Sequence, residues 1–373
     1  MAGDERQGHR SKVTLATVAA ALGVSATTVS NAFSRPDQLS AGLRDQIFAT
    51  AAELGYRGPD PVARALTRGR TGLVGLLLTE SLSFALRDPA AVLVLQGLGA
   101  ACDEAGVGLV LLPVVAGERA PVLESRAGVD GYVVYSMPDD DPSVMALVAG
   151  ERPVVTVDQP QVDGVSFVGV DDREVARLQL SHLLGLGHRE VGVLAYRLAP
   201  QRSDHALTSE QQATAPYRLT RLRQAGYREA LTEAGLPPEA LIYEESPTND
   251  AAGGRSAALS LLTRRPTLTA LLADGDQIAI GGMQAAADHA LHVPDQLSIV
   301  SADDTPAAAL TSPPLTTASQ PFADKGRAAG EELVRLLATT GTTSRTTLLP
   351  TQLVARSTTG RPQDGGANWA KSS

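Results

Sequence analysis

The stretch Gly23–Phe33, GVSATTVSNAF, decides how the first part of this chain folds. Its flanks are apolar, yet it runs from a glycine through a serine into small hydroxyl and amide side chains. A packed core gains little from Thr27, Thr28, Ser30 and Asn31 in series. A helix that lies against a polar surface gains hydrogen-bond partners from all of them. Upstream, residues 15–22, LATVAAAL, predict a short helix with Thr14 as its N-cap, and Gly23 permits the left-handed turn that ends it. Ser25 caps a second helix over 26–33. Val18, Ala19, Leu22, Val24 and Val29 are expected to close a small core, with Ala19 small enough to let the two helices cross tightly. A third helix fits 41–54, capped by Ser40, stopped by Gly55, with Leu43, Ile47, Ala51 and Leu54 as its apolar stripe.

Two helices joined by a tight glycine turn and backed by a third predict a helix-turn-helix unit. Thr27, Ser30 and Asn31 share the face opposite Val29 and Phe33, where they can reach base edges and phosphates in a major groove. The solvated face of an ordinary three-helix bundle has the same pattern. Charge separates this head from the rest. Residues 1–70 hold nine Lys/Arg against six Asp/Glu, while the remainder holds 23 against 35, for a chain total of −9. A small basic head on an acidic body suits a polyanion met by the head alone.

In GPDPVARALTRGRTG (58–72), Asp60 can cap, Pro61 suits the first helical position and Gly69 ends the run. The two-turn helix is too short to persist alone in water. It nonetheless carries Val62, Ala63, Ala65 and Leu66 beside Arg64, Arg68 and Arg70. This reads as a conditional helix that orders on pairing with its copy and docking to DNA, with Leu66 as a candidate minor-groove wedge. An amphipathic linker helix packed on its own protein is the competing reading.

The run VTLATVAAALGVSATTVSNAFSRPDQLSAGLRDQIFATAAELGYRGPDPVARAL strongly resembles the head and hinge of the lactose/galactose-repressor (LacI/GalR) family of bacterial transcription regulators. The resemblance continues through HLLGLGHREVGVLA, RLRQAGYREAL, DQIAIGGMQAA and SIVSADDTPAAALTSPPLTT, covering roughly residues 12–357. It implies base reading at Ala26, Thr27 and Asn31, and phosphate contact or capping at Ser25, Thr28 and Ser30. It also implies intercalation by Leu66 with Ala63 beside it. The candidate DNA-binding set is completed by Thr14 and Arg64. Asn31 stands where many members carry arginine; Asn prefers adenine edges and Arg guanine, so the half-site should differ there. Gly58 is an extra residue before the hinge proline, and Asp60 replaces the usual asparagine.

Beyond residue 71 short apolar runs alternate with amphipathic stretches. Strands are predicted over 72–78, 107–115, 130–135, 153–157, 190–195, 268–273 and 297–301. Helices are predicted over 89–105, 173–186, 217–234, 253–264, 276–290 and 322–338. Such alternation argues for parallel sheets covered on both faces, and the length suits two lobes with a ligand cleft beyond the strand ends. The expected fold is thus an all-α helix-turn-helix headpiece (1–57, with 1–11 disordered) and a hinge helix or linker (58–70). A two-lobe α/β effector-binding and dimerisation domain of periplasmic-binding-protein type (71–360) and a disordered tail (361–373) follow. The resemblance implies three chain crossings between lobes, and cleft positions at Asp172, Arg223 and Asp303 that hold ligand hydroxyls. Each of these fits a structural ion pair or strand-end carboxylate as well. Gly275 departs from the amide or hydroxyl common at its position, which removes one expected hydrogen bond. Phe84 and Tyr135, with Tyr196 and Tyr217, are candidate stacking partners. The polar segment 197–217 either covers the cleft or is a disordered excursion.

Other functions find little support. GLGAAC (97–102) lies within a helical stretch and lacks the last glycine of a dinucleotide fingerprint. His182 and His188 lack metal spacing and read as a helix-face and a helix-terminal residue. Cys102, the single cysteine, excludes an internal disulfide and fits a reducing cytoplasm. The polar N-terminus has no signal-like apolar segment, and no apolar run is long enough for a bilayer. The expectation is a cytoplasmic non-enzyme without cofactor or metal: a transcriptional regulator, read as a repressor. Its partners would be a palindromic double-stranded operator, a sugar or related metabolite as effector, and a second copy in a homodimer, with a tetramer left open. A solute-binding or sensing protein without a DNA role is the alternative; it predicts the two-lobe body but an exported N-terminus and no head.

Overall fold

The computed structural model describes residues 13–58, 70–79, 81–114, 128–196, 198, 208–339, 341 and 343–363. The chain divides into two compact units, Met1–Gly72 and Leu73–Ser373.

In the first unit helices Leu15–Leu22, Ala26–Ser34 and Ala41–Leu54 form, with a 3-10 turn at Pro36–Gln38. The caps are those the sequence specifies. The Ser25 and Ser40 hydroxyls accept from Thr28 N and Leu43 N, and Gly23 and Gly55 take left-handed φ values of 64° and 76°. Thr14 and Thr17 cap each other reciprocally. The first two helix axes meet at 112°, within the range of helix-turn-helix pairs. Val18, Ala19, Val29, Ala32, Ile47 and Ala51 make the buried core. Leu54 does not join it: it is exposed, and Tyr56, just past the helix end, packs there instead. Phe33 is edge-on to both Phe48 and Tyr56. Gly58, the extra residue, sits at φ 104° with its Cα against the Phe33 ring; a Cβ would lie 3.3 Å from it. Positive φ and close approach together account for glycine there. Residues 59–69, and with them the hinge helix, Ala63, Arg64 and Leu66, lie outside the described residues, as do 1–12 and 364–373.

The second unit holds twelve strands: β1 (Leu73–Leu78), β2 (Gly108–Pro113), β3 (Gly131–Tyr135), β4 (Val154–Val157), β5 (Ser166–Val170), β6 (Val191–Ala195), β7 (Leu241–Glu245), β8 (Ala270–Ala273), β9 (Ser298–Asp303), β10 (Thr316–Ser319), β11 (Thr346–Leu349) and β12 (Leu353–Val354). They form two six-stranded sheets, ordered β2-β1-β3-β4-β5-β11 and β7-β6-β8-β9-β10-β12. All pairings are parallel except β10 with β12. The chain crosses between lobes after β5, between β10 and helix Phe322–Ala338, and between β11 and β12.

All seven predicted strands and six predicted helices are present, the helices 89–105 and 322–338 with unchanged bounds. Strands β5, β7, β10, β11 and β12 and the short helices Leu82–Ala85, Pro142–Val148, Ser209–Ala213 and Pro306–Leu310 were not predicted. The body also runs past its expected end: residues 361–363 are placed, with Pro362 packed beside Gly187.

In each sheet the strand order reverses beside the first strand, between β1 and β3 and between β6 and β8. This is the switch point at which a crevice opens beyond the carboxyl ends. Apolar clusters on both faces of each sheet fix the lobes around it.

Candidate functional site

On the head, the second helix presents its amino end to solvent: Ser25, Ala26 and Thr27 are exposed, while Thr28, Ser30 and Asn31 are half-buried. Spacing of three and four residues puts Thr27, Ser30 and Asn31 on one face. Ser25 Oγ lies 2.8 Å from Thr28 Oγ1 and accepts from Thr28 N at 3.0 Å, so both hydroxyls sit at the positive pole of the helix. Backbone N–H groups there suit a phosphate, and small side chains keep the helix close to base edges.

In the body, a cleft of about 140 Å³ opens between the lobes. The first lobe contributes Phe84, Asp88, Tyr135 at the end of β3 and Asp158 just after β4. The second contributes Tyr196 after β6, Arg223, Asn249, Gly275 after β8 and Asp303 at the end of β9. Gln320 and Phe322, at the second crossover, complete the lining.

Arg223 lies on helix Arg218–Glu233 and is 1% exposed. Its Nε donates to Asp172 Oδ1 at 3.3 Å, and its Nη1 donates to the Asp274 carbonyl with Asp274 Oδ1 at 3.6 Å. Burial opposes its charge, but Asp172 and Asp274 outweigh that, and the guanidinium is held above its ordinary pKa. Its Nη2 is buried without a hydrogen-bond partner, as are Thr220 Oγ1 and Asn249 Oδ1 in the same lining. A donor, a hydroxyl and an acceptor thus lie unmatched within residues of one lining. Buried polar atoms are seldom left unmatched, and a polyhydroxylated ligand supplies both partners.

Asp303 is the hub of the opposite polar chain. Its Oδ2 accepts from Asp276 N at 3.1 Å, with Tyr196 Oη at 3.5 Å, and its Oδ1 accepts from Gln320 Nε2 at 2.9 Å. Gln320 Oε1 accepts from Lys325 Nζ at 2.7 Å, and Lys325 Nζ donates to Asp158 Oδ1 at 2.6 Å. Lys325, fully buried and 4.6 Å from the Phe322 ring centre, therefore ties a first-lobe carboxylate to a second-lobe one. Burial, reinforced by Asp276, drives the Asp303 carboxyl well above the usual range. Burial pushes Asp276 up to about 6 against hydrogen bonds from Thr305 and Thr317 that favour its charged form.

The lobes also meet around the start of helix Arg218–Glu233. Leu219 N donates to Gln159 Oε1 at 3.0 Å, Asp139 N donates to the Pro216 carbonyl at 3.1 Å, and Arg221 pairs with Asp139.

The structure brings Phe84, Tyr135, Arg223, Gly275 and Asp303 together, with Tyr196 and Tyr217 beside them. Asp172 does not line the cleft. It starts helix Asp172–Leu186, 1% exposed, and holds Arg223 from behind, so it positions the guanidinium rather than facing a ligand. Lys325, Asp158, Gln320, Thr220 and Asn249 were missed. Of the 197–217 segment, helix Ser209–Ala213 and Tyr217 are placed, while 197 and 199–207 lie outside the described residues. His182 bonds Thr359, and buried His188 bonds Thr269, Ser298 and the Gly360 carbonyl, so both pin the last segment of the body. Among the described residues no group of His, Cys, Asp or Glu is placed to hold a metal ion, and no single helix is long and apolar enough to cross a membrane.

Residues 180–359 match the periplasmic binding protein-like domain. An HTH-type transcriptional regulator of Mycobacterium tuberculosis is 44% identical over 332 residues, spanning 87% of this chain and 91% of the relative. The lactose operon repressor of Escherichia coli is 29% identical over 359 residues, spanning 94% and 91%. Among solved structures, a LacI-family regulator from Corynebacterium glutamicum superposes with TM-score 0.71 at 34% identity, covering 94% of this chain and 99% of that one. The lac repressor dimer bound to operator superposes with TM-score 0.75 at 27% identity, covering 94% and 100%.

Proposed function

The chain belongs to the LacI/GalR family of helix-turn-helix transcriptional regulators, and from that premise we propose a specific mode of action. It binds an inverted-repeat operator as a homodimer in the cytoplasm, under the control of an uncharged polyhydroxylated metabolite, a sugar or close relative, held in the interlobe cleft. The observation that carries the effector half is the set of unmatched buried polar atoms, Arg223 Nη2, Thr220 Oγ1 and Asn249 Oδ1, on residues that share the cleft lining with the aromatic side chains Phe84 and Tyr135. Aromatic faces suit the C–H faces of a sugar ring, and the polar atoms suit its hydroxyls. Charge selects further. Asp88 and Asp158 stand against Arg223 and Lys325, while burial favours the neutral form of Asp303, so the lining carries little net charge and suits an uncharged ligand.

On the DNA side, each head lays its second helix in a major groove, with Ala26, Thr27 and Asn31 reading bases and Thr14, Ser25, Thr28 and Ser30 holding phosphates. Between the half-sites, paired Leu66 side chains, with Ala63 and Arg64, wedge the central step, at an unstacking cost of a few kcal/mol offset by wider contact. An effector that contacts the two lobe arrangements differently changes hinge pairing. A coupling of about 1–3 kcal/mol alters operator affinity by roughly 5–150-fold.

Selection of bound fragments from the source genome, by wild type and by Asn31→Arg, tests this reading. The wild type is expected to enrich an inverted repeat, and the variant to replace adenine by guanine at one symmetric pair of positions. Enrichment of no palindrome defeats the proposal; an unchanged site with the variant defeats the assignment of Asn31.

A further inference from the structure

The geometry assigns to Tyr196 the selection of the effector: we infer that it stands in the space of a side chain at position 275 and thereby sets both the length and the hydrogen-bond sense of that wall. The inference rests on the reading of the cleft as the effector site.

Gly275 explains itself only through Tyr196. Its backbone is extended, φ −158°, so any residue could adopt it. Space forbids one. A Cβ on Gly275 would lie 2.1 Å from Tyr196 Oη, 2.8 Å from Tyr196 Cζ and 2.9 Å from Asp303 Oδ2. These distances are below any real van der Waals contact. The Tyr196 backbone N donates to Asp274 Oδ2 at 3.0 Å, the Arg223 guanidinium lies 5.7 Å from the ring centre, and Oη lies 3.5 Å from Asp303 Oδ2. The phenol is therefore fixed in the spot that a side chain following β8 would otherwise fill, although it arrives from the neighbouring strand β6.

Two consequences follow for the ligand. Tyr196 Oη lies 3.5 Å from Asp303 Oδ2 and is placed to donate to it, an arrangement that leaves its lone pairs for the cleft. The effector must therefore donate a hydroxyl hydrogen to that point, whereas an amide at 275 would offer a donor as well. The ring also shortens the cleft. With the phenol in place, a second ring that extends past Gly275 meets Tyr196.

The test uses the full-length protein and the variants Tyr196→Phe, Tyr196→Ala, Gly275→Ala and Tyr196→Ala/Gly275→Ala. Without ligand, Gly275→Ala is expected to lower the melting temperature of the wild type but to leave that of Tyr196→Ala unchanged; additive effects overturn the steric claim. With D-ribose, D-glucose and cellobiose as probes, read by melting shift and operator release, the wild type should respond to a single-ring sugar. Tyr196→Phe should weaken that response about 2–10-fold, the worth of one hydrogen bond, and Tyr196→Ala should shift preference toward cellobiose by about tenfold or more. Variants that keep the wild-type rank order overturn the assignment of Tyr196 alone. A wild type that responds to no probe overturns the effector reading, and this inference with it.

Discussion

Replacing Arg223 with methionine separates the two jobs the structure gives this side chain. Two sides of the guanidinium are paired, Nε on Asp172 and Nη1 on Asp274, while Nη2 is buried without a partner in a residue that lines the cleft. Methionine keeps most of the stem and removes the charge, stranding two carboxylates that are 1% and 3% exposed. Breaking a buried pair from one side costs about 3–5 kcal/mol, which in a lobe of this size lowers the melting temperature by roughly 6–20 °C. The loss must also depend on pH. Burial already raises the Asp172 carboxyl above its ordinary value, and Arg223 is the largest influence opposing that rise. Without the arginine the folded-state pKa climbs further, while the unfolded value stays put. A carboxyl raised in this way contributes stability fully present below its unfolded pKa and lost as pH rises through its folded pKa. The variant should therefore be closer to wild type at about pH 5 than at about pH 8. Adding Asp172→Asn removes one stranded charge and should return about 1–3 kcal/mol. Urea unfolding of the wild type, both single variants and the double variant measures all of this. Additive losses, or a deficit that is flat with pH, refute the account of Arg223 as the countercharge of Asp172.

Two further outcomes follow from the same structure. Asp276 rises from 3.8 to about 6, and Asp303 rises with it, so the folded pair keeps protons the unfolded chain releases. Stability from this pair is complete below the ordinary carboxylate value and declines as pH passes about 6, by about 2–3 kcal/mol for Asp276; melting curves from acid to neutral pH should show the decline in wild type and lose it in Asp276→Asn. Leu66→Ala should weaken operator binding far more than binding to random DNA in a gel-shift titration, since a wedge pays back only where the duplex is bent to fit it; equal loss on both discounts the wedge.

The fold was legible where local chemistry and long-range packing ask for the same thing. In the head, Thr14, Ser25 and Ser40 cap, Gly23 and Gly55 terminate, and Val18, Val29 and Ile47 point inward. Each of those choices is written within a few residues. Leu54 failed because the helical stripe was extended one turn too far: beyond Ala51 the chain turns at Gly55, and Tyr56 reaches the core first. In the body, the apolar strands β1, β3 and β8 announced themselves, while β10, TTAS, did not. Its Thr316 and Thr317 are wholly buried: the Thr316 hydroxyl accepts from Arg356 N at 3.0 Å and the Thr317 hydroxyl donates to Asp276 Oδ1 at 3.0 Å, so hydroxyls serve there as interior residues. Hydropathy periodicity cannot register a strand whose buried face is polar.

The site was legible in its strand-end residues and hidden in what surrounds them. Arg223, Asp303 and Gly275 stand at predictable termini, but their roles depend on partners far away in sequence. Asp172 reads as a ligand residue until the helix that carries Arg223 closes over it. Lys325, in PFADKGRAA, lies within the predicted helix 322–338, and only the return of that helix after β10 sets its ammonium against Asp158 and Gln320. Gly275 reads as a lost hydrogen bond, yet a tyrosine 79 positions earlier fills its place. In each case the sequence names the chemical group, whereas the crossing of two parallel sheets decides which neighbour it meets. That is why the three crossovers, rather than any single motif, build the cleft: they link Asp158 of one lobe to Asp303 of the other through Lys325 and Gln320 and leave one buried arginine nitrogen unmatched in the lining.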